Sequence, residues 1–225
     1  MENLSTQLLG TKKKYREIFL KSVEEFQLRV LEIKPEGCGD IFDSYQKGSS
    51  GDLWQVAVLD MIKNEISPDI HKKWVQIFEY REKFHCVSCG VCCNLACSEF
   101  SIDELCAKKV AGDNFATQFL SVFVPYKSKI EAEKIYPEYI KLLDESIEEE
   151  VYFYHCPKIN DCKLCSDYEK RPQICRIFPD NPLNLLPKSC GFYEWAIEVR
   201  PIVLTLHSMV EIMEFYKQKI LEVKG

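Results

Sequence analysis

The sequence predicts a mainly α-helical protein, with short strand and loop elements organised around a Cys-rich metal site. Three observations carry that expectation. Apolar residues recur at helical spacing towards both ends of the chain, four thiols crowd into the stretch from Cys86 to Cys93, and a second thiol-rich tract runs from Cys156 to Cys190. With 46% hydrophobic and 28% charged residues over 225 positions, the composition is that of a globular protein able to bury a sizeable core.

The first element is an amphipathic helix from Tyr15 to Ile33, in which Ile18, Phe19, Val23, Phe26 and Val30 share one stripe before Pro35 and Gly37 stop it. The basic run Lys12 to Lys14 reads as a solvated helix start. A second helix is predicted from about Asp52 to Ile66 and a third from Pro68 towards Phe84. Ser101-Ile-Asp-Glu104 has the form of a capping box, Gly112 closes the helix it opens, and Asp113 caps the next, with Phe115, Phe119, Leu120 and Phe123 along one face up to Pro125. A polar helix from about Lys127, interrupted at Pro137, leads to the acidic run Glu148 to Glu150, read as a solvated face. Val151 to Tyr154 is predicted to be a short strand.

The tail from Pro201 to Leu221 sets Ile202, Leu206, Met209, Met213, Tyr216 and Ile220 on one stripe. Packing on the same chain is the commoner fate of such a stripe, and a protein partner held through this C-terminal helix is the rarer one. The expected organisation is an N-terminal helical region over 1–83, a cysteine-cluster domain over 84–192 and a C-terminal amphipathic helix over 193–225.

Charge and hydropathy exclude some functions. A net charge of −6 argues against a dedicated nucleic-acid binder, which needs a basic face for phosphate contacts. No segment approaches the roughly 18 uninterrupted apolar residues of a membrane span, and the N-terminus carries no apolar leader, so a cytoplasmic protein without membrane contact is expected. In a reducing cytosol the 12 cysteines read as metal ligands or redox centres before disulfides.

The first tract reads Cys86-Val-Ser-Cys89-Gly-Val-Cys92-Cys93. A Cys-x-x-Cys step lets two sulfurs reach one metal from a tight turn, and Gly90 can adopt the positive φ that turns backbone amides towards sulfur. Adjacent Cys92 and Cys93, taken as extended, point to opposite sides, so one of them ligates while the other supports or serves a second metal. With Cys93 counted as an insertion, the run also approaches a ferredoxin pattern ending at Cys97, although Ser98 stands where proline is expected. The second tract supplies Cys156, Cys162-x-x-Cys165, Cys175 and Cys190-Gly191. Arg171 and Arg176 flank Cys175, and guanidinium groups beside a thiolate cluster would lower thiol pKa and offset its charge. Surface charge or a salt bridge is the plainer role for either arginine alone.

The order Cys86-x-x-Cys89-Gly-x-Cys92-Cys93, followed by Cys165-x-x-Tyr168-Glu169-x-Arg171-Pro172-x-x-Cys175-Arg176-x-Phe178-Pro179, resembles the YkgJ-like cysteine-cluster family, described as putative zinc- or iron-chelating domains. The resemblance spans 84–192 and implies metal binding with no general activity. Under it the first-tract ligands are Cys86, Cys89, Cys92 and Cys93. The second tract contributes Cys156, Cys165, Cys175 and Cys190, with Arg171 and Arg176 beside the cofactor. Cys97, Cys106 and Cys162 stand as extras, and Cys38 as a free thiol outside the matched region.

All-sulfur coordination suits iron-sulfur clusters and zinc alike. Thiols in excess of the four a single zinc accepts favour an iron-sulfur centre that carries electrons or supports a modification reaction. The alternative is a zinc-binding structural or interaction module without catalysis. Catalytic residues are not evident: phosphate-cradling loops, His-Glu-x-x-His and the Cys-x-x-x-Cys-x-x-Cys run of radical enzymes are all missing from the sequence. His85 and His155 each precede a tract cysteine and read as hydrogen-bonded or exposed histidines before ligands.

Overall fold

The structure is a computed structural model that describes residues 4–146, 150–160 and 165–225, with side chains described from residue 13 and, before the first gap, as far as residue 141. The protein is mainly helical with a small three-stranded sheet. It divides into two compact units, one containing Phe84–Ala196 and the other joining Leu9–Lys83 to Ile197–Gly225. Most of the N-terminal helical region and most of the C-terminal helix thus share a unit.

The first helix, α1 (Leu4–Glu32), enters the helical unit at Leu9 and starts well before Tyr15, so Lys13 and Lys14 lie on its exposed face rather than at its start. Ser49 opens α2 (Ser50–Met61) by accepting the Asp52 amide on its side chain. The break expected near Ser67-Pro68 is instead a π-helical turn over Ile62–Ile66 that runs straight into α3 (Ser67–Arg81). Pro68 brings no N–H, and the wider turn absorbs the mismatch while the Ser67 hydroxyl donates to the Ile62 carbonyl at 2.8 Å.

The cysteine unit is built from shorter pieces: α4 (Val91–Asn94), β1 (Ala96–Ser98), α5 (Ile102–Val110), α6 (Asn114–Leu120), β2 (Val124–Pro125), α7 (Lys129–Glu133), α8 (Pro137–Ser146), β3 (Tyr152–His155) and α9 (Gln173–Ile177). The capping box at Ser101 and Glu104 is formed in full, Gly112 takes φ 87°, and Asp113 accepts the Ala116 amide at 2.7 Å. Of the acidic run, Glu148 and Glu149 lie outside the described residues, and Glu150 is exposed.

Strand β3 is central, antiparallel to β1 through Cys97↔Phe153 and to β2 through Val124↔His155. Alternation along β3 sends neighbours to opposite faces. Phe153 packs with Leu95, Ala132 and Ile140, whereas Tyr154 packs with Leu105, Ala116 and Phe119. The Tyr154 hydroxyl donates to the Phe100 carbonyl at 2.8 Å. A strand buried on both faces holds the helices on either side of it.

The last helix, α10 (Tyr193–Lys224), lies in the segment 193–225 read as a C-terminal helix, begins upstream of the apolar stripe that starts at Pro201, and carries that proline in its interior. An internal proline costs about 3 kcal/mol through its missing donor and its ring. Burial of Trp195, Val199 and Val203 around it offsets that cost. Below the proline, Leu206, Met213, Tyr216 and Ile220 are buried, so most of the stripe is covered by its own chain, while Ile202 is exposed. In the helical unit Phe26 meets Tyr216 with ring centroids 4.7 Å apart, the Trp54 indole donates to the Val30 carbonyl at 3.0 Å, and Lys224 pairs with Asp52. The buried Gln55 amide donates to the carbonyls of Ile41 and Asp43 at 2.8 and 2.9 Å, which removes the penalty of an unpaired polar group. Among the described residues no helix is long and apolar enough to cross a membrane.

Candidate metal centre

The sheet brings the two cysteine tracts together. β1 follows directly on the first tract and β3 leads directly into the second, so their antiparallel pairing carries Cys93 to Cys156, whose amide donates to the Cys93 carbonyl at 2.7 Å. Beyond Cys156 the chain folds back through a bridge between Ile159 and Cys165, and the Ser166 amide donates to the Lys158 carbonyl at 2.9 Å. On the other side Gly191 lies against the backbone of the first tract. A Cβ there would collide with the His85 carbonyl and come within 3.0 Å of Val87, so glycine is required for the Cys190 loop to approach Cys86.

The result is a cavity of about 420 Å³ in the cysteine unit, lined by Cys86, Cys89, Cys92 and Cys93. Cys156, Cys165, Cys175 and Cys190 complete the sulfur lining, and Cys97 reaches its edge. Every described cysteine is a free thiol. Among the described residues no three Cys, His, Asp or Glu side chains converge into a ready-made cage for a metal ion.

A local pattern repeats at four of these sulfurs. The Ser88 amide donates to Cys86 Sγ at 3.4 Å, and the amides of Val91, Lys158 and Phe192 donate to Cys89, Cys156 and Cys190. Each sulfur thus accepts the N–H of the residue two places on, an arrangement that favours the thiolate over the thiol. Positive φ at Ser88 (56°) and Gly90 (77°) turns the first two amides inward. The sequence pointed to Gly90 for this purpose; Ser88 as a second left-handed residue was not foreseen.

Electrostatics sorts the thiols. Cys89 is held at about 6, first because Cys190 donates a hydrogen bond to it, with the Val91 amide and the Ser189 hydroxyl adding to the effect. The same bond pushes the Cys190 thiol up, and burial adds to it. Cys92 likewise donates to Cys93, which holds Cys93 at about 7 and raises Cys92. Burial pushes Cys175 to about 11, helped by the charges of Cys93 and Cys156 and opposed by Arg171.

Arg171 lines the cavity, sits 3.6 Å over the Tyr168 ring and lowers the thiols of Cys93 and Cys175 by its charge. Arg176 does not line the cavity; it is exposed and donates to the carbonyls of Arg171 and Glu169, bracing the loop that carries Arg171. Cys97 is not drawn to the other sulfurs. It pairs with Phe153 across the sheet, packs against the Leu95 cluster and accepts from the Tyr139 hydroxyl, and burial raises its thiol to about 12. Cys106 is exposed and Cys38 belongs to the helical unit. Cys162 lies outside the described residues. His155 packs against Tyr126 with centroids 4.7 Å apart, and neither it nor His85 lines the cavity. Ser189 and Tyr139, both hydrogen-bonded to cysteine sulfur, carried no signal in the sequence.

Comparison with protein-family models, curated proteins and solved structures finds no match for this chain.

Proposed function

We propose that the protein is a thiolate metal protein whose cysteine cavity holds an iron-sulfur centre, used to carry electrons or to support a modification reaction. One observation carries the reading. Four sulfurs lining a single cavity each accept the amide of the residue two places on, a donor that stabilises a metal-bound thiolate more than a neutral thiol.

The donor set fits the group. The protons shared within Cys89–Cys190 and Cys92–Cys93 mark sulfurs already competing for a cation, and a soft metal displaces such protons from thiols. An iron-sulfur centre, when bound, supplies one-electron chemistry. The chain itself supplies the ligands, the amides that offset sulfide charge, the Arg171 guanidinium, and the apolar side chains of Phe119 and Phe123, all lining the same cavity. The resemblance to YkgJ-like proteins supports metal binding, and a reducing cytoplasm would keep the thiols available.

Iron and acid-labile sulfide, measured with an ultraviolet-visible spectrum on protein purified without oxygen, test the reading. Matching iron and sulfide with a broad visible band are expected. Colourless protein with neither iron nor sulfide sinks the iron-sulfur assignment. Zinc is the second reading, favoured by the short elements of this unit, which a closed structural site would hold in place. Stoichiometric zinc without colour would select it and direct the search to binding partners.

A further inference from the structure

At about 420 Å³ the cavity falls in the range of small-molecule pockets, roughly 300–1,000 Å³, which are mostly apolar with a few convergent polar groups. Two parts of its lining are not thiols, and they differ in chemistry.

The apolar part is a ladder of rings on and after α6. Phe115 meets Phe119 with centroids 5.4 Å apart, Phe119 meets Phe123 at 4.8 Å, and all three line the cavity. Ile174 joins the same cluster from α9, and its amide donates to Gln118 Oε1 at 3.2 Å, which fixes α9 against α6. Phe119 is anchored in the core, whereas Phe123 is half-buried and Phe115 exposed, so the ladder keeps ring surface uncovered.

The polar part is Arg171, half-buried and three residues before Ile174, so the two Cα atoms stand at most about 10 Å apart. Its guanidinium lies by its face on the Tyr168 ring at 3.6 Å, and its Nε donates to the Tyr168 carbonyl at 3.1 Å. Arg176 Nε donates to the Arg171 carbonyl at 2.7 Å and steadies the backbone that carries it. Face and Nε are thus engaged, and the Nη fork is the part that grips a carboxylate in a bidentate manner. Its charge also reaches Cys93 and Cys175, and five donors suffice for a carboxylate beside a sulfur. Among the described residues the other charged groups of the lining compete little: Lys158 pairs with Asp167 at 2.8 Å, and Lys170 and Asp180 are exposed.

We infer that the cavity is a binding site for a small aromatic carboxylate, its ring on the Phe115–Phe119–Phe123 ladder and its carboxylate on Arg171. Tilted rings at these separations offer faces and edges to a further ring, which an aliphatic chain does not exploit. The inference goes beyond metal binding, because none of these contacts needs a metal.

Phenylacetate is the probe, titrated calorimetrically into the full chain purified without oxygen, with metal content measured on the same samples. One saturable site per chain is expected. Phenylacetamide, which keeps the ring without the charge, and acetate, which keeps the charge without the ring, should each bind about tenfold more weakly or worse. Arg171→Gln should weaken phenylacetate about tenfold or more and leave it no better than the amide, and Arg171→Lys, which keeps the charge without the fork, should fall between. Phe123→Ala should weaken acid and amide alike, and replacing the exposed Lys109 of α5 by Gln should change neither. No saturable binding to the wild type, acid and amide bound equally, or full affinity in Arg171→Gln overturns the inference, and the first two outcomes require no variant to fold. Metal without phenylacetate binding overturns this inference and leaves the metal protein standing; phenylacetate binding without metal does the reverse.

Discussion

The two units solve the stability problem differently. The helical unit rests on long elements, a 29-residue α1 of which all from Leu9 onward belongs to it and a 32-residue α10 of which all but the first turn does, and on a core containing Phe26, Trp54, Val58 and Ile220, all nearly inaccessible to solvent. In the cysteine unit no helix before α10 exceeds 10 residues and the strands are two to four residues long among the described residues. Helices of that length are marginal on their own, and the two clusters astride β3 are small. The comparison teaches that one unit is held by apolar burial along long helices, whereas the other distributes its burial over two small clusters astride one strand.

The largest expected effect follows directly. Removing metal with a chelator under reducing conditions should strip hydrogen-exchange protection from β3 and α5 while amides of α2 and the lower part of α10 keep theirs. Equal loss in both units would erase the distinction drawn between them. Next in size, Phe26→Ala should cost roughly 3–5 kcal/mol in denaturant unfolding of the helical unit and leave metal content per folded chain unchanged. A change in metal content would show that the units do not behave independently.

Smaller again is the capping box. Ser101→Ala should destabilise the cysteine unit by about 1 kcal/mol, read as a shift in the denaturant midpoint, because the Glu104 amide loses its acceptor. The smallest effect concerns Tyr15, which donates to Glu211 at 2.7 Å and is pushed up to about 12 by burial and by that carboxylate. The tyrosine is favoured in its protonated form, so its contribution is complete below its ordinary value of 10.0 and is lost as pH rises towards about 12. Tyr15→Phe should therefore be less stable than wild type at pH 8, with the gap closing between pH 10 and 12 in alkaline unfolding curves.

Much of the fold was legible where chemistry is local. Ser101 with Glu104, Gly112 and Asp113 announced the boundaries of α5 and α6 because caps and left-handed turns are decided by a few neighbouring residues. β1 was missed because Ala-Cys-Ser carries no strand preference and exists through its pairing with β3. That α10 runs on through Pro201 was not legible in the apolar stripe that begins there, because only burial of the residues before the proline carries the helix past it. The candidate site divides the same way: Gly90 and the spacing of Cys86 and Cys89 were readable, whereas the helical setting of Cys92 and Cys93, the diversion of Cys97 to Tyr139 and the outward course of Arg176 were not.

By itself the sequence determined the helical class, the local caps and the two inventories of thiols, since each is written in spacing that the backbone imposes over a turn or two. Only the tertiary structure decided which thiols meet. Cys93 lies beside Cys156 because β1 pairs with β3, and Cys190 lies beside Cys89 because Gly191 lets two backbones touch. Contacts between residues so far apart in the chain depend on register and close approach, and no local pattern encodes either.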